Sequence, residues 1–131
     1  MTFLLLLGLL SVLFLFSFVS RIFQPLLEAK RTDGEVIRVE VLNGCGVRKI
    51  AQRVTQILRE KGFDVVKVDN APSHDFPKTI VVDRKTETMR YAKRVARSIR
   101  CRQVTSQVDP SLYLEVTVIV GKDYLKLFKF Q

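Results

Sequence analysis

The chain has 131 residues, 47% of them hydrophobic, and its 22 Lys and Arg against 13 Asp and Glu give a formal net charge of +9. The hydrophobic content is high enough to drive collapse, which argues against a wholly disordered chain, and the length excludes a large multidomain enzyme. Two cysteines and one histidine are too few for a disulfide-stapled scaffold, a four-ligand zinc site or a His-rich metal site. We therefore expect no metal and no cofactor.

The N-terminal segment is strongly apolar. Its first twenty residues carry no charged side chain, and residues 3–19 form one uncharged run. As a helix, Thr2 to Ser20 would be about 28 Å long, close to the roughly 30 Å of a hydrocarbon core. A cleaved signal peptide is the main alternative, but no basic segment precedes the run and no small-residue cleavage motif ends it. We predict an uncleaved single-pass transmembrane anchor over residues 1–21.

Residues 22–34 are predicted to form a juxtamembrane linker. Pro25 interrupts any continuation of the helix, and residues 32–34 have turn-forming chemistry. Three basic residues follow the apolar run and none precedes it: Arg21, Lys30 and Arg31. Taken alone, the positive-inside rule would place the domain that follows in the cytoplasm.

Residues 35–125 are predicted to form one small domain. Ile37, Val39 and Val41 alternate with polar residues, as in a strand with one buried side. The apolar spacing then changes to about 3.6 residues, as in an amphipathic helix, and Gly62 suits the position just after that helix. The predicted elements are strand 35–42, helix 47–61, strand 63–68, strand 78–83, helix 86–100, short strand 103–106 and strand 112–120.

The element order β-α-β-β-α-β-β predicts an α/β fold, a small two-layer sandwich of broadly split-βαβ type behind one transmembrane helix. Its mixed sheet has four or five strands, with two helices on one face. The tail, residues 126–131, alternates basic and apolar residues imperfectly. It suits an edge strand, a partner-docking segment, a membrane-interface segment or a chain end folded over the core.

The turn between the first strand and the first helix is the first candidate ligand-binding site. Its glycines permit positive φ and a close approach to the backbone, and the helix that follows presents free N–H groups to an anion. The alternative is a tight structural connection, because the turn lacks both the dinucleotide-binding and the P-loop glycine motifs. The candidate residues here are Asn43, Gly44, Gly46 and Arg48.

The charge of the two predicted helices is the second candidate. Residues 47–61 carry five Lys and Arg and one Glu, and residues 84–102 carry eight and one. A concentrated positive face attracts polyanions such as lipid head groups, envelope polymers or nucleic acid. The alternative is a solvated helix face that keeps the protein soluble. The candidate residues here are Arg90, Lys93, Arg94 and Arg97.

Nothing in the sequence assembles a catalytic centre. Cys45 and Cys101 are expected to be free thiols, although a disulfide between them stays open because spacing cannot show it. A cysteine nucleophile needs a base, and the one imidazole, His74, lies in a separate predicted loop. The carboxylates are scattered at strand ends, where turn chemistry explains them. We predict no catalytic residue and no metal ligand, hence no enzyme.

Four sequence blocks point to a family. They are VEVLNGCGV at 39–47, GFDVV at 62–66 with Asn70-Ala71, DFPKTIV at 75–81 and VTVIVGKDY at 116–124. In this order they resemble the LytR C-terminal domain family over about residues 35–125. Phe76 departs from the pattern, which has Tyr before the proline.

The resemblance implies a setting more than an activity. Domains of this family often follow the LytR-CpsA-Psr catalytic domain, whose members transfer phosphate-linked glycopolymers to peptidoglycan. This sequence leaves no room for that domain between the anchor and residue 35, so we carry over no catalytic residue. The usual setting of the family is the extracytoplasmic side of a bacterial cytoplasmic membrane. We give that setting more weight than the positive-inside count, which opposes it.

The sequence thus predicts a membrane-anchored, non-catalytic binding or scaffolding module of the bacterial cell envelope. Its partner would be an anionic envelope polymer or a partner protein, with residues 3–19 holding it in the membrane. The alternative is a membrane-tethered cytoplasmic domain that binds nucleic acid or anionic lipid. Nucleic acid is disfavoured because the predicted strands lack the aromatic pattern that base stacking requires.

Overall fold

A computed structural model describes residues 1–130, with the side chains of residues 23–33 outside the description. The chain divides into two compact units, Met1–Glu35 and Val36–Gln131. The first consists of one helix and the second of a sheet with helices, so each is described by itself.

The first unit is helix α1, Thr2–Gly34. Its segment Thr2–Ile22 has a mean hydropathy of 2.6, and it is long and apolar enough to cross a membrane. The hydroxyl of Ser20 donates a hydrogen bond of 2.8 Å to the carbonyl of Phe16, one turn earlier. A hydroxyl bonded in this way needs no water, which suits a helix in lipid. The predicted apolar helix is present and is a candidate transmembrane span.

The bounds of α1 overlap the predicted juxtamembrane linker. A break at Pro25 and a linker over residues 22–34 were expected, whereas the helix bounds extend to Gly34. Proline removes one helical hydrogen bond, but the stretch that follows it is rich in strong helix formers, LLEAK. The remainder of the linker prediction falls on residues 23–33, whose side chains lie outside the described part.

The second unit contains every predicted element, with shifted ends, and one more short helix. The elements are β1 Arg38–Asn43, α2 Ile50–Glu60, β2 Asp64–Asn70, β3 Ile80–Asp83, α3 Arg90–Ser98, β4 Val104–Ser106, a 3-10 turn Pro110–Leu112, β5 Val116–Val120 and α4 Tyr124–Leu127. The predicted α/β fold class is therefore confirmed.

The five strands form one mixed sheet in the order β2-β1-β5-β3-β4. Strand β1 runs parallel to β2 and β5, whereas β3 runs antiparallel to β5 and parallel to β4. The units β1-α2-β2 and β3-α3-β4 thus flank β5 and are related by a half-turn about an axis through it. Right-handed crossovers then place both helices on the same face of the sheet.

The hydrophobic core lies between the helices and this face. The inward side chains of the central strands, such as Val41 and Val118, are fully buried, and both helices contribute to the same cluster. We call the two helices and the tail packed with them the helix layer. Alternate residues of the strands, such as Glu40 and Thr117, point to the opposite side, which we call the open sheet face.

The two main helices end in the same way with different residues. Gly62 after α2 has φ 91° and Arg100 after α3 has φ 56°. The N–H of Phe63 donates to the carbonyl of Leu58, and that of Cys101 to Ala96, so both ends are Schellman-type caps. The expectation for Gly62 is confirmed. Arg100 occupies a position where glycine is preferred, at a cost of roughly 1 kcal/mol.

Helix α3 begins at Arg90, four residues later than predicted, because of one buried carboxylate. Asp83, at the end of β3, is fully buried. One of its oxygens accepts the N–H groups of Lys85 and Thr86, which holds them in a turn. The other oxygen accepts the N–H groups of Tyr91 and Ala92 in the first turn of α3. The carboxylate therefore delays the helix and caps it.

Candidate functional site

The side chain of Asn43 is committed to the turn between β1 and α2. Its oxygen accepts the N–H groups of Cys45 and Gly46 at 3.2 and 3.0 Å. Its amide nitrogen donates to the carbonyl of Val47 at 2.8 Å. This is an Asx-type turn, in which a side chain takes the place of a backbone group. The side chain of Asn43 therefore shapes the turn.

Gly44 is required by packing. A Cβ there would lie 2.8 Å from side-chain carbons of both Ile119 and Phe76, and 2.9 Å from the carbonyl oxygen of Val120. The N–H of Gly44 donates to that carbonyl. The glycine lets the turn lie against the end of β5, so the structural alternative accounts for it.

The other turn residues border a crevice of about 450 Å³ at the carboxyl ends of β1 and β2. Crevices at this edge of parallel strands are a common place for ligands in α/β folds. Gly46, at φ 76°, lies against His74, so the structure brings the predicted separate loop to the turn. We call this the turn crevice; its lining includes Asn43, Gly46, Arg48, Lys49, Gln52, Asp69, Asn70 and His74.

The four basic candidates on α3 form one outward stripe. They lie at spacings of i, i+3, i+4 and i+7, which share one face of a helix. The opposite face is buried, including Tyr91 and Val95. The guanidinium of Arg90 lies 4.7 Å from the ring centroid of Tyr91 and donates to its hydroxyl. We call this set the α3 stripe: Arg90, Lys93, Arg94 and Arg97.

The two groups of predicted residues lie in different places. Strand β3 runs opposite to β1, so α3 begins at the end of the sheet away from the turn that precedes α2. The turn crevice has no lining residue from α3. The structure thus brings Asn43, Gly46 and Arg48 together and, separately, the α3 stripe.

A larger groove, which sequence reasoning missed, lies between the helices. It has a volume of about 770 Å³ and is lined by α2, the end of α3 and the C-terminal tail. Five of its lining residues are basic and one, Glu60, is acidic. We call it the interhelix groove; the basic residues are Arg53, Lys61, Arg100, Lys126 and Lys129.

The tail forms one wall of that groove and is held by aromatic packing. Phe128 is only 2% exposed and belongs to the core. Phe130 lies under the guanidinium of Arg53, 4.4 Å from the ring centroid, and near the ring of Tyr124. Of the predicted alternatives, a chain end folded over the core is confirmed and an edge strand is wrong. The helical spacing of basic residues on α2 indicates one wall of the interhelix groove. No local sequence pattern predicts that the tail forms another wall.

On the open sheet face, basic side chains are paired with buried carboxylates. Glu40 lies 3.1 Å from Lys67, and Glu115 lies 2.8 Å from Arg38 and 3.7 Å from Lys85. Burial raises the pKa of Glu115, but the hydrogen bonds from Arg38 and the charges of Arg38 and Lys85 outweigh it, so the pKa is lowered. Within the described residues, none of the five groove cations lies within 4.0 Å of a carboxylate oxygen.

Both cysteines are free thiols, as expected. The thiol of Cys101 is buried and donates to the carbonyl of Thr79 at 3.3 Å. Burial raises the pKa of Cys101, which disfavours the reactive thiolate. Cys45 donates to the Asn43 side chain within the turn. In the described part of the chain, no three His, Cys, Asp or Glu residues cluster as metal ligands would.

The second unit is a small two-layer α/β domain with a basic helix layer. In the sequence it follows a candidate membrane-spanning helix. A family model described as LytR cell envelope-related transcriptional attenuator matches residues 36–124, about two thirds of the chain. The chain belongs to this family of non-catalytic C-terminal domains, which is related to the cell envelope, and the resemblance is confirmed. No curated protein and no solved structure matches the chain.

Proposed function

We propose that this chain is a membrane-anchored, non-catalytic binding module of the bacterial cell envelope that recognises an anionic envelope polymer. One observation carries the proposal: the α3 stripe presents four basic side chains at adjacent helical positions with no acidic residue among them. A surface of this kind attracts polyanions, and the family supplies the envelope setting.

Because the anchor holds the domain at the membrane, weak contacts are sufficient for binding to a polymer there. Each exposed ion pair contributes only about 0.2–1 kcal/mol. A domain held at the membrane by Thr2–Ile22 meets any polymer near the bilayer at high effective concentration, so several weak pairs act together. The proposal places the domain on the extracytoplasmic side. A C-terminal alkaline phosphatase fusion, active only outside the cytoplasm, should be active, and an inactive fusion would contradict this placement.

The chemistry of the sheet favours an envelope polymer over nucleic acid. Base stacking on a sheet needs aromatic side chains on its exposed face. The five strands contain no aromatic residue. The open sheet face instead presents paired charges and aliphatic side chains such as Leu42 and Ile119.

The test is cosedimentation of the full chain, in detergent, with purified peptidoglycan sacculi that retain their anionic polymers. We expect binding at low salt that weakens as salt is added. The variant Lys93→Gln/Arg97→Gln removes two exposed stripe cations and should lower the affinity about fivefold or more.

A matched control removes the same charge elsewhere. Lys78 and Lys122 are both exposed, and Lys122 is 3.9 Å from the highly exposed Asp75. The variant Lys78→Gln/Lys122→Gln should bind almost as the wild type does. Absence of binding at low salt, or equal losses in both variants, would reject recognition of the polymer by the α3 stripe.

A further inference from the structure

The interhelix groove is a built concavity with walls from three parts of the chain. Its volume of about 770 Å³ is in the range of ligand sites, roughly 300–1,000 Å³. Helix α2 supplies Arg53, the residue after that helix is Lys61, the turn after α3 supplies Arg100, and the tail supplies Lys126 and Lys129. A ligand in the groove would therefore meet basic side chains from every wall.

The positive charge of the groove favours a negatively charged ligand. Its five cations face one carboxylate, Glu60. All five are exposed, and none of them is within ion-pair distance of an acidic group in the described chain. A bound anion would reduce the repulsion among them, which favours a ligand with several negative charges.

The walls of the groove are held by packing within the domain. Buried Phe128 fixes the tail, and its N–H donates to the carbonyl of Tyr124. Phe130 holds the guanidinium of Arg53 over its ring. A side chain fixed in this way loses less entropy on binding than a free one. The lining also includes the apolar residues Ile57, Ile99 and Leu127.

Arg100 adds a second, independent indication. It holds the left-handed position after α3, at φ 56°, where the equivalent position after α2 has Gly62. The conformation is strained for a residue with a side chain. The arginine lines the groove, so the chain carries backbone strain at the point where a basic side chain faces the concavity. Strain retained in this way is typical of binding sites.

We propose that the interhelix groove, completed by the C-terminal tail, binds a segment of a polyanionic polysaccharide that carries carboxylate or phosphate groups. The inference rests on the proposed function and deepens it, because it assigns the polymer a further contact site beside the α3 stripe. A polysaccharide fits better than a compact anion because the cations are distributed over three walls of the groove. The tail beyond residue 124 lies outside the range matched by the family model.

The test measures binding of two labelled probes to the full chain in detergent by fluorescence anisotropy. Polygalacturonate carries carboxylates and phosphorylated dextran carries phosphates, while unmodified dextran is the uncharged control. We expect at least one charged probe to bind and dextran not to bind. The probe that binds identifies the anionic group. Equal or tighter binding of polyglutamate or of a single-stranded oligonucleotide would overturn the choice of a polysaccharide.

Arg100→Gly is the decisive variant. Glycine relieves the left-handed strain, so the melting temperature should rise, while the affinity for the charged probe should fall about fivefold because one exposed cation is lost. If Arg100 had only a structural role, the variant would have a higher melting temperature and an unchanged affinity. Lys61→Gln/Lys129→Gln, on the other two walls, should lower the affinity roughly five- to twentyfold.

The outcomes separate this inference from the proposed function. Lys78→Gln/Lys122→Gln again serves as the control of equal charge, with an expected change below about twofold. If the wild type binds, and the stripe variant Lys93→Gln/Arg97→Gln loses affinity while the groove variants do not, the groove is not the site and the proposed function stands. If the wild type binds neither the charged probes nor sacculi, the proposed function itself is wrong.

Discussion

On the open sheet face, two buried carboxylates form ion pairs with the nearby basic side chains, whereas none of the five groove cations on the helix layer forms an ion pair within the described residues. Glu115 alone contacts Arg38 and Lys85, and Glu40 contacts Lys67. The interhelix groove has five basic residues and one acidic residue. The same domain therefore neutralises charge on one side and accumulates it on the other.

The difference follows from burial. Glu115 is 5% exposed and Glu40 is 4% exposed, and a buried carboxylate without partners is strongly destabilising. Exposed cations on a helix keep their hydration and can rest their aliphatic stems on the protein, so they need no partner for folding. Charge on the open sheet face thus serves stability, whereas we propose that charge on the helix layer serves binding.

The largest expected effect on the free energy of unfolding comes from Asp83, the buried carboxylate at the start of α3. Asp83→Ala would leave four backbone N–H groups without their acceptor, and α3 would lose its N-terminal cap. We expect the free energy of unfolding to fall by about 3–5 kcal/mol, measured by urea denaturation. Asp109→Ala is the matched control, since that exposed carboxylate caps only the 3-10 turn through Ser111. An equal loss in the two variants would refute the capping role.

A smaller effect, dependent on pH, is expected at Glu115. Because its pKa is lowered in the folded state, its contribution is present above the unfolded value of about 4.3 and is lost as the pH falls through the folded pKa. Glu115→Gln should lower the free energy of unfolding by about 1–3 kcal/mol at pH 7 and hardly at all near pH 2. Urea denaturation at both pH values checks this. A loss of the same size at both pH values would mean that packing, not charge, is responsible.

The smallest effect is expected on the helix layer itself. Lys93→Gln/Arg97→Gln should change the free energy of unfolding by less than about 0.5 kcal/mol, with any shift toward higher stability because repulsion is reduced. Arg38→Gln, which removes a cation from the open sheet face, should destabilise the protein, since Glu115 would lose its bidentate partner. Thermal unfolding of the two variants compares them directly. A marked destabilisation of the stripe variant would show that these cations act in folding.

The sequence by itself determined the features that depend on near neighbours along the chain. The apolar run predicts the helix over Thr2–Ile22. The periods of two and 3.6 residues predict the strands and helices in order, and the spacing of Arg90, Lys93 and Arg97 predicts one helix face. Four short blocks, the first of which contains Asn43-Gly44, indicate the family, which the family model confirms.

Only the tertiary structure decided what depends on segments far apart in the chain. Arg38 and Glu115 are separated by 77 positions, and no local pattern pairs them. Insertion of β5 between the two βαβ units, the contact of Phe76 with Gly44 and the tail that completes the interhelix groove are of the same kind. The physical reason is that periodicity reports which face of an element is apolar, whereas the choice of what covers that face depends on packing the whole core at once.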